Sequence, residues 1–300
     1  MARGRPHTGP DGLVVVDKPA GWTSHDVVAK SRGLLGTRKV GHAGTLDPDA
    51  TGVLLLGVGK ATKLLRFLSP LGKAYVGEVS LGTETNTLDA AGTVTATYDM
   101  TGVTLEDVRA ASLAFIGAIE QIPPMVSAVK IDGRRLHELA RQGIEIDRPA
   151  RPVTVHSLEV SPGPDGEAGV FTMAVSCSSG TYIRTLAADI GTALGGGAHL
   201  RTLRRTSVGP FTLADSVPLE SVDPDQVLPL EAAVRHLDAV TVDEARAADV
   251  AVGKVIERED LGLDVDGVGP WAVFGPTGSL LAVYEPFRGT TAKPSLVIPA

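Results

Sequence analysis

The chain has 300 residues, 43% of them hydrophobic, and carries 28 Lys and Arg against 35 Asp and Glu for a net charge of −7. That length suggests about two domains with ample core. A single cysteine, Cys177, excludes an internal disulfide framework and a cysteine-rich zinc site. No apolar run approaches the roughly 18 residues of a spanning helix, and Met1–Pro10 lacks the apolar stretch of a secretory signal, so a cytoplasmic protein with no membrane partner is expected.

Leu13–Val16 reads as a short buried strand ended by Asp17-Lys18-Pro19, and Ser24 as the N-cap of a helix from about His25 to Leu35, closed by Gly36. Next comes Lys39-Val-Gly-His42-Ala-Gly-Thr-Leu-Asp47-Pro-Asp49-Ala-Thr-Gly-Val53, too rich in Gly, Pro and Asp for a regular element. It is a shaped loop presenting one imidazole and two carboxylates, feeding the apolar strand Val53–Val58. Gly57-Val-Gly59-Lys60-Ala-Thr62 falls short of a phosphate-binding loop, because Leu54 stands where a glycine is needed and Ala61 where Ser or Thr is needed. No nucleotide cofactor is expected there, and Ala61–Leu68 reads as a helix. Lys73–Leu81 alternates as a strand with Tyr75 facing inward alongside Val79 and Leu81.

Thr83 to Gly92 is a polar loop into a strand at Thr93–Thr97, and Thr104 with Asp107 opens a capped helix to about Gly117. Pro123 and Pro124 keep Gln121–Lys130 extended. Asp132-Gly133 is a turn, and Arg134–Gln142 a short basic helix closed by Gly143. Val153–Val160 and Val170–Cys177 are two further strands. Ile183, Leu186, Ala187, Ile190 and Leu194 recur at helical spacing. Arg184 sits in the first turn of that helix, where the macrodipole disfavours a cation, so an acidic partner is expected. Leu203–Val208 is a strand, and Glu231–Leu237 a helix. From about Val240 the chain reads as a small β-rich module, with strands at Val250–Ile256 and in a hairpin over Trp271–Tyr284.

Charge is uneven. Residues 211–300 hold 6 basic and 15 acidic side chains, whereas residues 1–210 hold 22 and 20. Basic pairs at Arg38-Lys39, Arg134-Arg135 and Arg204-Arg205 keep a polyanionic partner open despite the total, since phosphate binding answers to local patches. There is no metal-ligating set, zinc deaminase signature or dinucleotide fingerprint. Candidate chemistry therefore rests on a carboxylate without cofactor. Asp47, paired with Arg184, would stay ionised and aimed as nucleophile or base.

Several motifs together carry a resemblance. They are Asp17-Lys18-Pro19, Gly41-His-Ala-Gly-Thr-Leu-Asp47-Pro, Lys73-Ala-Tyr75, Thr87-Leu-Asp89-Ala-Ala-Gly92, Pro123-Pro124 through Ser127-Ala-Val-Lys130, Gly180-Thr-Tyr182-Ile-Arg184-Thr-Leu, and His199-Leu200 with the Arg201–Thr206 run. In order and over nearly the whole chain, they resemble the bacterial TruB-type pseudouridine synthases, which act on uridine 55 in the TΨC arm of tRNA.

The resemblance implies an α+β fold: a mixed, largely antiparallel catalytic sheet with flanking helices over residues 1–235, and a small PUA-like β-rich domain over 240–300. It implies a thumb-like RNA-binding segment at about 124–151. Asp47 is then the catalytic aspartate, Tyr75 the stacking platform and base, and Arg184 the partner of Asp47. Tyr182 and Leu200 line the pocket, Asp89 belongs with the substrate-contacting residues, and His42 enters the space left by the flipped base. Lys18, Arg38, Lys39, Lys130 and Arg134 are the candidate phosphate contacts. The expected partner is the tRNA TΨC stem-loop, met by a monomer without cofactor. The alternatives are a non-catalytic tRNA-folding chaperone on the same scaffold and a related synthase for another RNA. Whether the carboxylate attacks ribose, abstracts a sugar proton or adds to the base stays open in the sequence.

Overall fold

Unbroken apolar runs such as Leu13–Val16 and Val53–Leu56 suit strands covered on both faces, whereas the alternation in Lys73–Leu81 suits one face inward. The computed structural model bears this out and describes residues 9–127, 130, 131, 133–144 and 146–299. Ala128, Val129, Asp132 and the side chain of Lys130 lie outside the described residues, and with them the predicted phosphate contact of Lys130 and half of the Asp132-Gly133 turn.

In chain order the elements are β1 (Gly12–Lys18), α1 (Ser24–Leu34), β2 (Val40–Ala43), β3 (Thr51–Val58), α2 (Leu65–Leu68), β4 (Lys73–Leu81), β5 (Thr83–Thr85) and β6 (Val94–Thr97). There follow α3 (Leu105–Ser112), β7 (Gly117–Gln121), β8 (Lys130–Ile131), β9 (Arg134–Arg135), α4 (Leu136–Arg141), β10 (Arg151–Pro162), β11 (Val170–Cys177), α5 (Ile183–Ala193) and β12 (Ala198–Val208). The chain closes with β13 (Phe211–Thr212), β14 (Val217–Pro218), β15 (Asp238–Thr241), α6 (Glu244–Ala251), β16 (Ile256–Glu257), β17 (Trp271–Phe274), β18 (Leu280–Pro286) and β19 (Thr291–Val297).

One ten-stranded sheet runs β14-β1-β3-β12-β4-β11-β10-β7, with β2 added to β3 and β13 to β12. It is mixed: β1–β14 and β3–β12 pair in parallel, the rest antiparallel. In β1, Val14 and Val16 pack with Val27 and Val28 of α1, while Leu13 and Val15 face Leu64, Leu68 and, from the C-terminal module, Ala272, Leu280 and Val283. That explains a strand without polar alternation. A third cluster joins Val79, Val175, Leu186 and Ile190 beneath β4, β11 and α5. The C-terminal residues form a separate five-stranded sheet, β15-β17-β18-β19-β16. Among the described residues, no helix is long and apolar enough to cross a membrane.

Several local expectations shift. Thr23, not Ser24, caps α1, in a reciprocal capping box with Asp26. Ser24 is fully buried and bonded elsewhere, so its side chain is not free to cap. Ala61–Leu68 splits into a 3₁₀ turn at Gly59–Lys63 and the single turn α2, and Leu230–Val234 is likewise 3₁₀. The expected strand at Val250–Ile256 is instead the end of α6, capped by Asp243, and a turn into β16. Strand β7 lies between the expected helix end at about Gly117 and the extended stretch from Gln121, where no strand is expected from the sequence.

Candidate active site

The loop between β2 and β3 is pinned from four directions. Ser24 Oγ donates to Leu46 O at 3.1 Å and accepts from Leu46 N at 2.9 Å. Lys18 Nζ donates to Pro48 O at 2.8 Å, which also accepts from Gly21 N at 3.0 Å. Arg205 Nη2 donates to Gly44 O at 3.1 Å and its Nη1 to Thr45 O at 3.4 Å. Two glycines are required by this geometry. Gly44 has φ +84°, and a Cβ there would lie 3.3 Å from Lys73 Cε. Gly52 has φ +102°, and a Cβ would meet Arg205 O at 2.1 Å, so only glycine lets β12 pair there.

Asp47 emerges from this loop into the guanidinium fork of Arg184. Nε lies 3.0 Å from Asp47 Oδ2, and Nη2 donates to Oδ1 at 3.3 Å. Nη1 lies 3.2 Å from Asp89 Oδ2 and donates to Thr87 O at 2.9 Å, while Nη2 also reaches Val126 O at 2.8 Å. Such planar, many-toothed recognition suits arginine and not lysine. The acidic partner expected from the helix position of Arg184 is thus two carboxylates. Leu88, between Thr87 and Asp89, has φ +63°, the sole non-glycine with positive φ among the described residues. That strain lets one tight loop offer both a carbonyl and a carboxylate to Arg184. Burial pushes the Asp47 carboxyl above its ordinary range; Arg184 pulls it down and Asp89 pushes it up again. Because 43% of the side chain stays open, the burial effect is moderated.

Asp47 and Arg184 stand at the mouth of a cavity of about 270 Å³, which Tyr75, Tyr182, Ile183, Leu203, Lys73 and Arg205 help to line. It has room for one pyrimidine ring. Tyr75 lies opposite Arg205 in the β4–β12 register, which sets the guanidinium beside the phenol. Burial raises the Tyr75 phenol and Arg205 lowers it, with the balance upward, so the hydroxyl is neutral near pH 7. Tyr182 precedes α5, and Gln121 of β7 holds its backbone from both sides: Tyr182 N donates to Gln121 Oε1 at 2.9 Å, and Gln121 Nε2 donates to Tyr182 O at 3.2 Å. Beyond the mouth, a groove of about 890 Å³ continues past Asp89, Ala90, Leu200 and Leu203.

Asp47, Tyr75, Tyr182 and Arg184 therefore meet around one cavity, and Asp89 and Leu200 border the adjoining groove. His42 stands apart on β2, edge-on to His25 of α1 with ring centroids 5.4 Å apart. Its imidazole is lowered by burial and by His25, hence neutral near pH 7. Lys18 is corrected: it is fully buried, and its ammonium serves Pro19 O and Pro48 O, so it is a clasp on the loop and not a phosphate contact. Arg38, Lys39 and Arg134 are exposed, Arg134 donating to Gln142 Oε1 at 3.1 Å. The basic run at 201–205 is dispersed: Arg201 pairs with Glu167, Arg204 with Asp17 at 2.7 Å, and Arg205 is buried. Lys73, Arg205 and Gln121 were not singled out as site residues. Of these only Lys73 carried a signal, two places from Tyr75 on the same strand face. Among the described residues, no cluster of three His, Cys, Asp or Glu side chains could hold a metal.

Comparison with known proteins adds the following. Residues 32–183 match the family described as TruB family pseudouridylate synthase (N terminal domain), and residues 184–240 match the tRNA pseudouridylate synthase B C-terminal domain. The chain is 48% identical over 291 residues to a Streptomyces coelicolor protein named tRNA pseudouridine synthase B, covering 94% of this chain and 96% of that one. It is 43% identical over 297 residues to the Shouchella clausii protein of that name, covering 95% and 97%. Among solved structures, a chain of a Cbf5-Nop10-Gar1 complex superposes with a TM-score of 0.74 at 28% identity, covering 96% of this chain and 85% of that one. A chain of an H/ACA RNP bound to a substrate RNA containing 2′-deoxyuridine gives 0.72 at 26%, covering 99% and 92%.

Proposed function

The chain belongs to the TruB family of pseudouridylate synthases, and from that premise we propose that it converts uridine 55 in the TΨC arm of tRNA to pseudouridine, with Asp47 as the catalytic carboxylate. The protein is an isomerase that makes pseudouridine in tRNA. The catalytic assignment is carried by the Asp47–Arg184 fork at the mouth of a cavity holding Tyr75.

The chemistry is an isomerisation. The N1–C1′ bond breaks with its electron pair left on the ring, the ring turns, C5 bonds to C1′, the C5 proton leaves and N1 regains one. Substrate and product have the same atoms and oxidation state, so the overall change consumes no oxidant or energy donor. Asp47 meets the electron-poor sugar side, kept ionised by Arg184. Tyr75 carries the ring, its stacking contributing roughly 1–3 kcal/mol against the few kcal/mol needed to extrude a stacked nucleotide. Tyr75 is the candidate base for the C5 proton: its phenol first gives up its own proton, which the neighbouring Arg205 favours against burial, and the phenolate oxygen then takes the one from C5. His42, on β2, fills the gap left in the RNA loop. Recognition follows the shape and backbone of the folded arm, with exposed Arg38, Lys39 and Arg134 as phosphate contacts and Lys130 as a further one.

The test is incubation of the purified protein with a T-arm stem-loop, followed by chemical labelling of pseudouridine. Full conversion at the position equivalent to 55 is expected. Position 55 remaining pseudouridine in tRNA from a strain lacking the protein would refute the substrate.

A further inference from the structure

Two cations lie side by side at the closed end of the base cavity, and neither has a carboxylate partner among the described residues. Arg205 is fully buried and Lys73 is 7% exposed. Both pass within contact of the space where a Gly44 Cβ would stand. Lys73 Nζ donates only to carbonyls, Ser69 O at 3.0 Å and Leu71 O at 2.6 Å. Arg205 Nε donates to Val53 O at 2.7 Å, and its Nη1 and Nη2 serve Thr45 O and Gly44 O. Burying a cation without a counter-charge is costly. At the opposite end, the mouth holds two carboxylates, Asp47 and Asp89, on one guanidinium. The cavity is thus polarised, negative at the mouth and positive at its floor.

We propose that Lys73 and Arg205 form an electrostatic floor that stabilises the negative charge appearing on the uracil ring when it separates from the ribose. This role rests on the isomerisation proposed above. As the N1–C1′ bond breaks, its electron pair spreads over N1, O2 and O4 of the ring while C1′ becomes electron-poor. A preset field with cations behind the base and carboxylates beside the sugar favours that separation and needs no reorganisation. When C5 rebonds to C1′ the pair returns to the new bond, and the floor is again unpaired. The register assigns the parts: Tyr75, where the ring stacks, lies opposite Arg205, and Lys73 lies two residues along the same face of β4.

The test separates charge from packing with Lys73→Met and Lys73→Arg, read by single-turnover rate, affinity for a T-arm stem-loop and thermal stability. Lys73→Met should slow the chemical step roughly 100-fold, as expected for losing one preorganised charge, with affinity within a few-fold. Burial holds the Lys73 ammonium at about 8. The groups around it are Arg205 from β12, Cys177 from β11, Tyr75 from β4, and Tyr182 and Asp47 across the cavity. The wild-type rate should therefore fall as pH rises through about 8, and Lys73→Arg, which stays charged, should keep its rate over that range. An equal fall in Lys73→Arg, or a wild-type rate in Lys73→Met, would overturn the assignment. The Arg variant alone decides should the Met variant not fold. Wild-type protein that makes no pseudouridine would instead remove the parent reaction.

Discussion

Replacing Arg184 by Met tests the central geometry most directly. The change removes five contacts: two to Asp47 at 3.0 and 3.3 Å, one to Asp89 at 3.2 Å and two to carbonyls at 2.9 and 2.8 Å. Breaking a buried pair by deleting one partner costs about 3–5 kcal/mol. Here 43% of the Asp47 side chain and 23% of the Asp89 side chain remain exposed and can be rehydrated, so the discounted loss is about 2–4 kcal/mol. For a chain of this size that corresponds to a fall in Tm of roughly 3–6 °C. Losing the guanidinium also lets the Asp47 carboxyl rise further. In the proposed reaction the carboxylate is the reactive form, so activity is lost as pH falls through its folded value. The acid limb of the single-turnover pH profile should move up in Arg184→Met and by less in Arg184→Lys, which keeps charge without the fork. Calorimetry and quench-flow measurements on the three proteins check this. A Tm within 2 °C of wild type, on the order of 1 kcal/mol, together with an unmoved acid limb, would refute the fork as the determinant of the carboxylate.

Asp47→Asn should abolish pseudouridine formation while leaving tRNA affinity within a few-fold; parallel loss of binding would contradict the division of roles. Tyr75→Phe should keep the stacking face and slow turnover; an unchanged rate would make Tyr75 a platform only. Lys18 has its ammonium held at about 8, below its ordinary 10.5. Between those values the unfolded chain binds more protons than the native one, so stability against denaturant should rise with pH there. Lys18→Met should shrink that rise, leaving the part due to Lys73, which carries the same shift.

Asp47, Tyr75 and Arg184 could be read from local signals, whereas Tyr182 came with the resemblance. A glycine-framed carboxylate, an inward position on an alternating strand and a cation at a helix start each violate a simple structural preference. Lys18 and Arg205 could not, because a basic residue looks the same in sequence whether it meets solvent or fills a core. Only register separates Arg204, which pairs with Asp17, from its neighbour Arg205, which is fully buried. Gln121 was equally silent, its value arising from a backbone 61 residues away. The strands were legible where apolar runs were long. The misread at Val250–Ile256 came from β-branched residues at the end of a helix whose cap, Asp243, sits seven residues upstream.

The loop that offers Asp47 is held by a side chain 160 residues later, since Arg205 closes on Thr45. Synthesis proceeds from the N-terminus at about 5–20 residues per second, so a ribosome needs about 8–30 s after making Asp47 to supply Arg205. Until then the nascent chain has an aspartate without its scaffold and a half-built pocket without a back wall. On the proposed roles, reactivity is thereby timed by sheet closure, and an unfinished chain meeting tRNA beside the ribosome has no assembled machinery with which to alter it.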